Sequence, residues 1–257
     1  MNCLGIPIPI CVQELLREPP ACSLRAEDDH ALDRIRQFGA ELGRPSTEIN
    51  QACNLASGPS DLVMILERPS PGQNYNMSFD EFVRECETLK AVDNLIKFSS
   101  KGARSIHTVT VLDAFSFSPR RYVTTNDAGC HQLIQDILNL KRPKVVLCCW
   151  QAGQGRCRNQ DVSPFMSLGV GTWPLWERVN LGSWRTNVVR SFHPSAAVNY
   201  RSRSPHSRML LICHFVLAFA ELVGQIEVPP WIGVVCDEAS RLVSPIFDRR
   251  LDSDQRR

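Results

Sequence analysis

Two rhythms of apolar and polar residues alternate along this chain. "DDHALDRIRQFGAELG" sets Ala31, Ile35, Phe38 and Leu42 on one face with acids at its start, which predicts an amphipathic helix. "STEINQACNLAS" predicts a second, short helix capped by Ser46 or Thr47, with Glu48 in its first turn. "DLVMILE" is an unbroken apolar run, as expected of a strand covered on both faces. "SFDEFVRECETLKAVDNLIKF" then predicts one helix and "HTVTVLDAFSF" a second buried strand. "DAGCHQLIQDILNLKRP" predicts a helix ended by proline, and "KVVLCCW" a third strand. After a loop to about 183, "NVVRSFHP" is the fourth strand and 207–223 the last long helix.

Strands alternating with helices at this spacing predict a three-layer α/β/α sandwich around a central, mostly parallel four-stranded sheet. Residues 1–25 are broken by prolines and predict a loosely attached arm, 26–227 the main domain, and 228–257 a polar, arginine-rich extension. Ligands of such sheets bind beyond the carboxyl ends of the strands. The segments that matter are therefore those after Glu67, Asp113, Trp150 and Phe192.

Composition changes the picture little. Of 257 residues 43% are hydrophobic and 22% charged, and the net charge of +2 does not by itself announce a nucleic-acid binder. Its distribution says more: arginines 178, 185, 190, 201, 203 and 208 occur with no acid before Glu221. Such a stretch is either a solvated face or a phosphate-contacting one. The eleven cysteines are odd in number, include no C-x-x-C pair, and several sit in apolar runs, so a reducing, intracellular compartment is expected. Cys3, Cys11 and Cys22 are spaced too widely for a zinc or iron–sulfur site, so no metal is expected. "MLLICHFVLAFAELV" is about 15 residues, short of a span, and predicts a buried helix with no membrane partner.

The four strand ends are unusual for ordinary connectors. They read "ERPSPGQNYNMSF", "VLDAFSFSP", "LCCWQAGQG" and "SFHPSAAVNYRSR". A histidine fixed by proline at a strand end serves as a general acid, an oxyanion stabiliser or a hydrogen-bonded loop residue. Taken as an ordered set, these segments resemble the uracil-DNA glycosylase superfamily, family 1 most closely. The family motif G-Q-D-P-Y-H-G-P-G-Q with its following Ser-Phe is similar to Pro71-Gly72-Gln73 and Ser78-Phe79. L-N-A is matched by Leu112-Asp113-Ala114, L-L-W-G by "LCCWQ", and H-P-S-P-L-S-V-Y-R by the ungapped run from His193 to Arg201. The resemblance covers residues 60–223.

The resemblance implies hydrolysis of the N-glycosidic bond of a base flipped out of DNA, without cofactor. It implies that Phe79 stacks on the base, that Gly72, Gln73 and Asn74 lie against base or phosphate, and that His193 donates to the developing oxyanion. Ser195, Tyr200, Arg201 and Arg203 would hold DNA. Three departures qualify this. The water-positioning aspartate has no clean match, leaving Glu67, which Arg68 can pair. Asp113 replaces the asparagine that reads uracil, and an ionised carboxylate only accepts unless burial keeps it protonated. The duplex wedge leucine falls at Ala197, which favours single strands over duplex.

Three readings remain. One is a glycosylase acting on uracil or a related damaged base, and one a catalytically inactive DNA- or protein-binding member of the same fold. The third is an unrelated α/β hydrolase or nucleotide-binding domain, for which no G-x-S-x-G or P-loop is found. A monomer in the nucleus, or in second place the mitochondrion, with single-stranded or damaged DNA as partner, is the accompanying expectation.

Overall fold

A computed structural model of the chain describes residues 1–70, 72–117, 127–150, 176–198 and 205–224. Two short strands, β1 (Asn2–Cys3) and β2 (Ile6–Pro7), pair antiparallel and lead into the single turn α1 (Ile10–Gln13). The N-terminal arm is not loosely attached over this stretch. Cys3, Ile6, Ile8, Val12 and Leu16 are buried in the main core, which supplies the apolar contacts its prolines cannot.

Helices α2 (Ala26–Glu41) and α3 (Ser46–Ala56) precede β3 (Leu62–Leu66). Pro45 occupies the N-cap of α3 and Ser46 is already helical, so neither Ser46 nor Thr47 caps it. All five β3 residues are buried, as an apolar run between two helical layers must be. The expected single helix after β3 is two: α4 (Phe79–Glu85) and α5 (Glu87–Ser99) meet at Cys86, whose backbone is extended (φ −94°, ψ 105°). A 3-10 turn (Ile106–Thr108) enters β4 (Thr110–Asp113), followed by α6 (Asp127–Lys141) and β5 (Val145–Cys148).

The sheet has five strands, not four. β6 (Trp176–Leu181) lies where a loop was expected and joins β7 (Trp184–Arg190) through a two-residue turn at Gly182 (φ 71°) and Ser183. Two-residue turns with glycine first match the twist of a hairpin. The short α7 (Ser195–Val198) and the long α8 (Pro205–Val223) complete the described chain.

Strand order is β4-β3-β5-β7-β6, all parallel except β6 against β7. Alternate strand residues feed two cores. Leu62, Met64, Leu147 and Val189 pack with α5 and α8, whereas Val63, Ile65, Val146 and Val188 pack with α2, α3 and α6. The molecule is thus mixed α/β with helices on both faces of a mostly parallel sheet. α8 is long and apolar enough to cross a membrane by length and composition, and 78% of its apolar window is buried inside the fold.

The edge formed by the amino ends of the strands is held by buried charge. Lys141 is wholly buried, and its ammonium donates to Asp28 at 2.7 Å and to the Gly58 carbonyl at 2.9 Å. Burial pushes the Asp28 carboxyl up. Hydrogen bonds from Lys141, Ser60 and the Arg25 N–H outweigh it and hold the group below its ordinary range. Gly58 itself permits no side chain, because a Cβ there would lie 2.2 Å from the Val109 carbonyl carbon. The bottom edge is structural, and the chemistry-bearing residues sit at the other.

Candidate functional site

Parallel pairing sends β3, β4, β5 and β7 out on the same edge. In this order the chain passes from β3 to β4 on one side and then crosses back to β5, so the topological switch lies between β3 and β5. A crevice is expected beyond their carboxyl ends, where Glu67-Arg68 and Cys149-Trp150 emerge. Successive strands are about 4.8 Å apart, so Glu67 after β3 and His193 after β7 leave the sheet about 10 Å from each other, with β5 between.

His193 is half-buried. Its Nδ1 lies 2.7 Å from Ser195 Oγ and 3.4 Å from the Ser195 backbone N–H. A ring whose Nδ1 accepts that backbone N–H is the tautomer with its proton on Nε2. The turn is closed by Ala196 N–H and Ala197 N–H donating to the carbonyls of His193 and Pro194, both at 3.0 Å. Ser195 Oγ is therefore engaged with the imidazole rather than presented solely to a phosphate.

Asp113 ends β4 opposite Leu66. It retains some accessible surface while protein surrounds its carboxyl, as at the floor of a cleft. Burial pushes it up to about 7, against the pull of Arg68 and with the help of Glu67. Below about pH 7 Asp113 therefore keeps its proton in large part, and that form can both donate and accept.

Glu67 does meet Arg68, with Nε 3.5 Å from Oε1. The Arg68 guanidinium also lies over the Phe115 ring at 4.4 Å, and Phe115 meets Trp150 edge-on at 6.0 Å and His131 at 5.3 Å. This aromatic group covers the α6 side of the crevice. Trp150 is 3% exposed, so it packs beside the sheet rather than offering a face to solvent.

The loop after β3 departs from the expected assignments. Ser78 caps α4 in a reciprocal box with Glu81, its N–H donating to Glu81 Oε2 at 3.0 Å and its Oγ accepting from Glu81 N–H at 3.3 Å. Phe79 packs on Phe82 and meets His107 edge-on at 5.0 Å. His107 precedes β4 whereas Asp113 ends it, with about 10 Å of strand between. Tyr75 also lies within electrostatic reach of Asp113. Burial, Glu48 and Asp113 together push its phenol up. Gln51 positions this loop by donating to the Met77 carbonyl at 2.8 Å. Gly72 and Asn74 are exposed and Gln73 is partly so. Gly72 takes φ 75° with open space around it, and Asn74 Oδ1 accepts from Asn76 N–H at 3.0 Å in a local turn. The glycine serves the turn, and the space beside it is open.

Of the arginines singled out, Arg190 is buried and pairs with Glu177 on β6 at 2.7 Å. Arg208 donates to the Leu4 carbonyl at 2.9 Å, tying α8 to the arm. Both are structural, whereas Arg178 and Arg185 are exposed. Tyr200, Arg201 and Arg203 lie outside the described residues, as does the 228–257 extension. Ala197, at the wedge position, is wholly buried. Among the described residues none of the nine cysteines forms a disulfide, and no group of three or more His, Cys, Asp or Glu side chains is placed to hold a metal.

No family model matches this sequence, and no curated protein matches it significantly.

Proposed function

We propose that this chain is a glycosylase-type hydrolase of the uracil-DNA glycosylase kind, which takes a deaminated or damaged base from single-stranded DNA and cleaves its N-glycosidic bond. The observation that carries this reading is the His193 turn, which sets the imidazole at the carboxyl edge of the sheet with Nδ1 against Ser195, the arrangement of a ring that carries its proton on Nε2. In the reaction the bond between base and sugar breaks, and its electron pair leaves with the base. Nε2–H donates to the carbonyl oxygen on which that charge collects, an electrostatic role of about 3 kcal/mol in comparable sites. Water, oriented by the Glu67 carboxylate as far as Arg68 leaves it free to do so, adds to the sugar carbon, and the proton it loses ends on the released base anion. The neutral form of Asp113 supplies a donor and an acceptor to the base edge. Tyr75 joins Phe79 as a candidate aromatic neighbour of that edge.

A second reading rests on a different observation. Ala197 is buried and Glu67 is engaged by Arg68, so among the described residues neither duplex wedging nor water activation has a dedicated residue. That favours a module which binds an extruded base or single strand without turning it over.

One assay separates the two. Single-stranded oligonucleotides containing uracil, hypoxanthine or xanthine are incubated with wild type and with His193→Ala, and abasic sites are read by alkaline cleavage. Release that disappears in the variant supports hydrolysis. Equal, steeply salt-dependent binding by both proteins with no release supports the binding module.

A further inference from the structure

The turn that carries His193 is gripped from beneath by a second histidine. His214 lies in the middle of α8, is 4% exposed, and places Nδ1 2.8 Å from Ser191 Oγ. Its ring also meets Phe192 edge-on at 6.0 Å. Ser191 and Phe192 are the two residues between the end of β7 and His193, so both links of the connection touch one imidazole. Ser191 is 1% exposed, and its backbone N–H donates to the Cys148 carbonyl at 2.8 Å. Its hydroxyl also hydrogen-bonds Cys149, extending the network under β5.

This arrangement exceeds what packing requires. The neighbours of His214 on α8 are Leu210, Leu211, Cys213, Phe215, Val216 and Leu217, all buried and all but the cysteine hydrocarbon. An apolar side chain would satisfy that environment, and a buried imidazole needs a partner that a leucine does not. Burial alone pushes His214 down to about 3, so it stays neutral at ordinary pH and acts as a fixed hydrogen-bonding group, not a switch.

We propose that His214 is a positioning residue for His193: through Ser191 and Phe192 it sets the path by which the chain leaves β7, and so the direction in which Nε2–H points. The inference rests on the reading of His193 as the donor to the leaving base. Ser195 holds that ring at its Nδ1 and His214 lies behind its backbone. Misplacing a donor by an ångström lowers turnover more than binding.

The test uses the full chain labelled with 15N-histidine and long-range 1H–15N correlation, alongside base release from single-stranded uracil DNA. Wild type should show His193 as one tautomer, protonated on Nε2. His214→Phe keeps a ring against Phe192 but removes its nitrogens, and Ser191→Ala removes the same bond from the other side. Either variant, its fold checked by circular dichroism, should give His193 as a tautomer mixture. Turnover should fall at least about tenfold, with KM changed less than about twofold. His214→Gln, which restores a side-chain partner for Ser191, should recover the single tautomer. Unchanged His193 resonances and turnover in both variants would overturn the proposal. Absence of base release by wild type would sink the functional reading instead, and the tautomer spectra would still decide whether His214 orients His193.

Discussion

Replacing Asp113 by asparagine tests both the electrostatics of the cleft and the chemistry assigned to it. Burial holds the folded-state carboxyl at about 7, against 3.8 for the unperturbed group. Between those values the folded protein holds a proton that the unfolded chain has released. Wild-type stability therefore falls as pH rises through that window, and the whole loss is present above it. At 1.36 kcal/mol per pH unit the upper limit is about 4 kcal/mol. Water reaching the partly accessible carboxyl screens part of this, and about 2 kcal/mol is expected. The amide of the Asp113→Asn variant has no proton to lose. Denaturant unfolding followed by tryptophan fluorescence should give nearly equal stabilities for the two proteins at pH 4. The variant should gain about 2 kcal/mol by pH 8, equivalent to about 4–8 °C in Tm. Parallel stability curves across that range would refute the reasoning, because they would mean Asp113 ionises in the folded state as it does in water. Base release adds a second limb. Wild-type activity on uracil should decline as pH rises through 7 while Asp113→Asn activity stays flat, since the amide always offers its donor.

Lys141→Met should destabilise the protein by about 3–5 kcal/mol in urea unfolding, because Asp28 is left buried without its cation. Adding Asp28→Asn should return part of that loss. With Asp28 held below its ordinary range, the pair's contribution is present above about pH 4 and is lost as pH falls further, so the wild-type advantage over the double variant should shrink in acid. Gly58→Ala should cost at least about 1–3 kcal/mol, since its Cβ meets main-chain atoms that cannot rotate away; an unchanged Tm would contradict the packing. Ser78→Ala should lower stability by about 1 kcal/mol through loss of the α4 cap, read in the same unfolding experiment.

The long elements were legible because burial imposes period on them. β3, β5 and α8 are almost wholly apolar, and α2 carries a clean helical face, so hydrophobic patterning alone located them. β6 escaped because it is an edge strand. Its burial runs from exposed to partly buried along "WERVNL", with only Leu181 fully inside. Weak alternation of that kind is easily taken for a loop, and the Gly182-Ser183 pair between two tryptophan-bearing segments was the signal that a hairpin was present. The break between α4 and α5 carries neither proline nor glycine, and nothing in the residue pattern around Cys86 marks it. The arm misled for the opposite reason: prolines do interrupt regular structure there, yet irregular backbone can still bury Ile6, Ile8 and Leu16.

At the site, sequence order and spatial order diverge in an instructive way. Glu67, Asp113 and His193 were found because strand ends in a parallel sheet share an edge, a property of topology that survives small shifts in position. Phe79 was placed at the base by the resemblance alone, and a motif carries no information on how a side chain packs locally. The Ser78-Glu81 capping box instead starts a helix there and turns Phe79 toward His107. Tyr75 had no motif to mark it, and only the fold puts it near Asp113. The protonation of Asp113 could not be read from composition at all, because it depends on how much protein closes over one carboxyl. A proton held on that carboxyl in the folded state has a physical consequence independent of any assigned chemistry: stability must fall as pH rises and the unfolded chain alone gives the proton up.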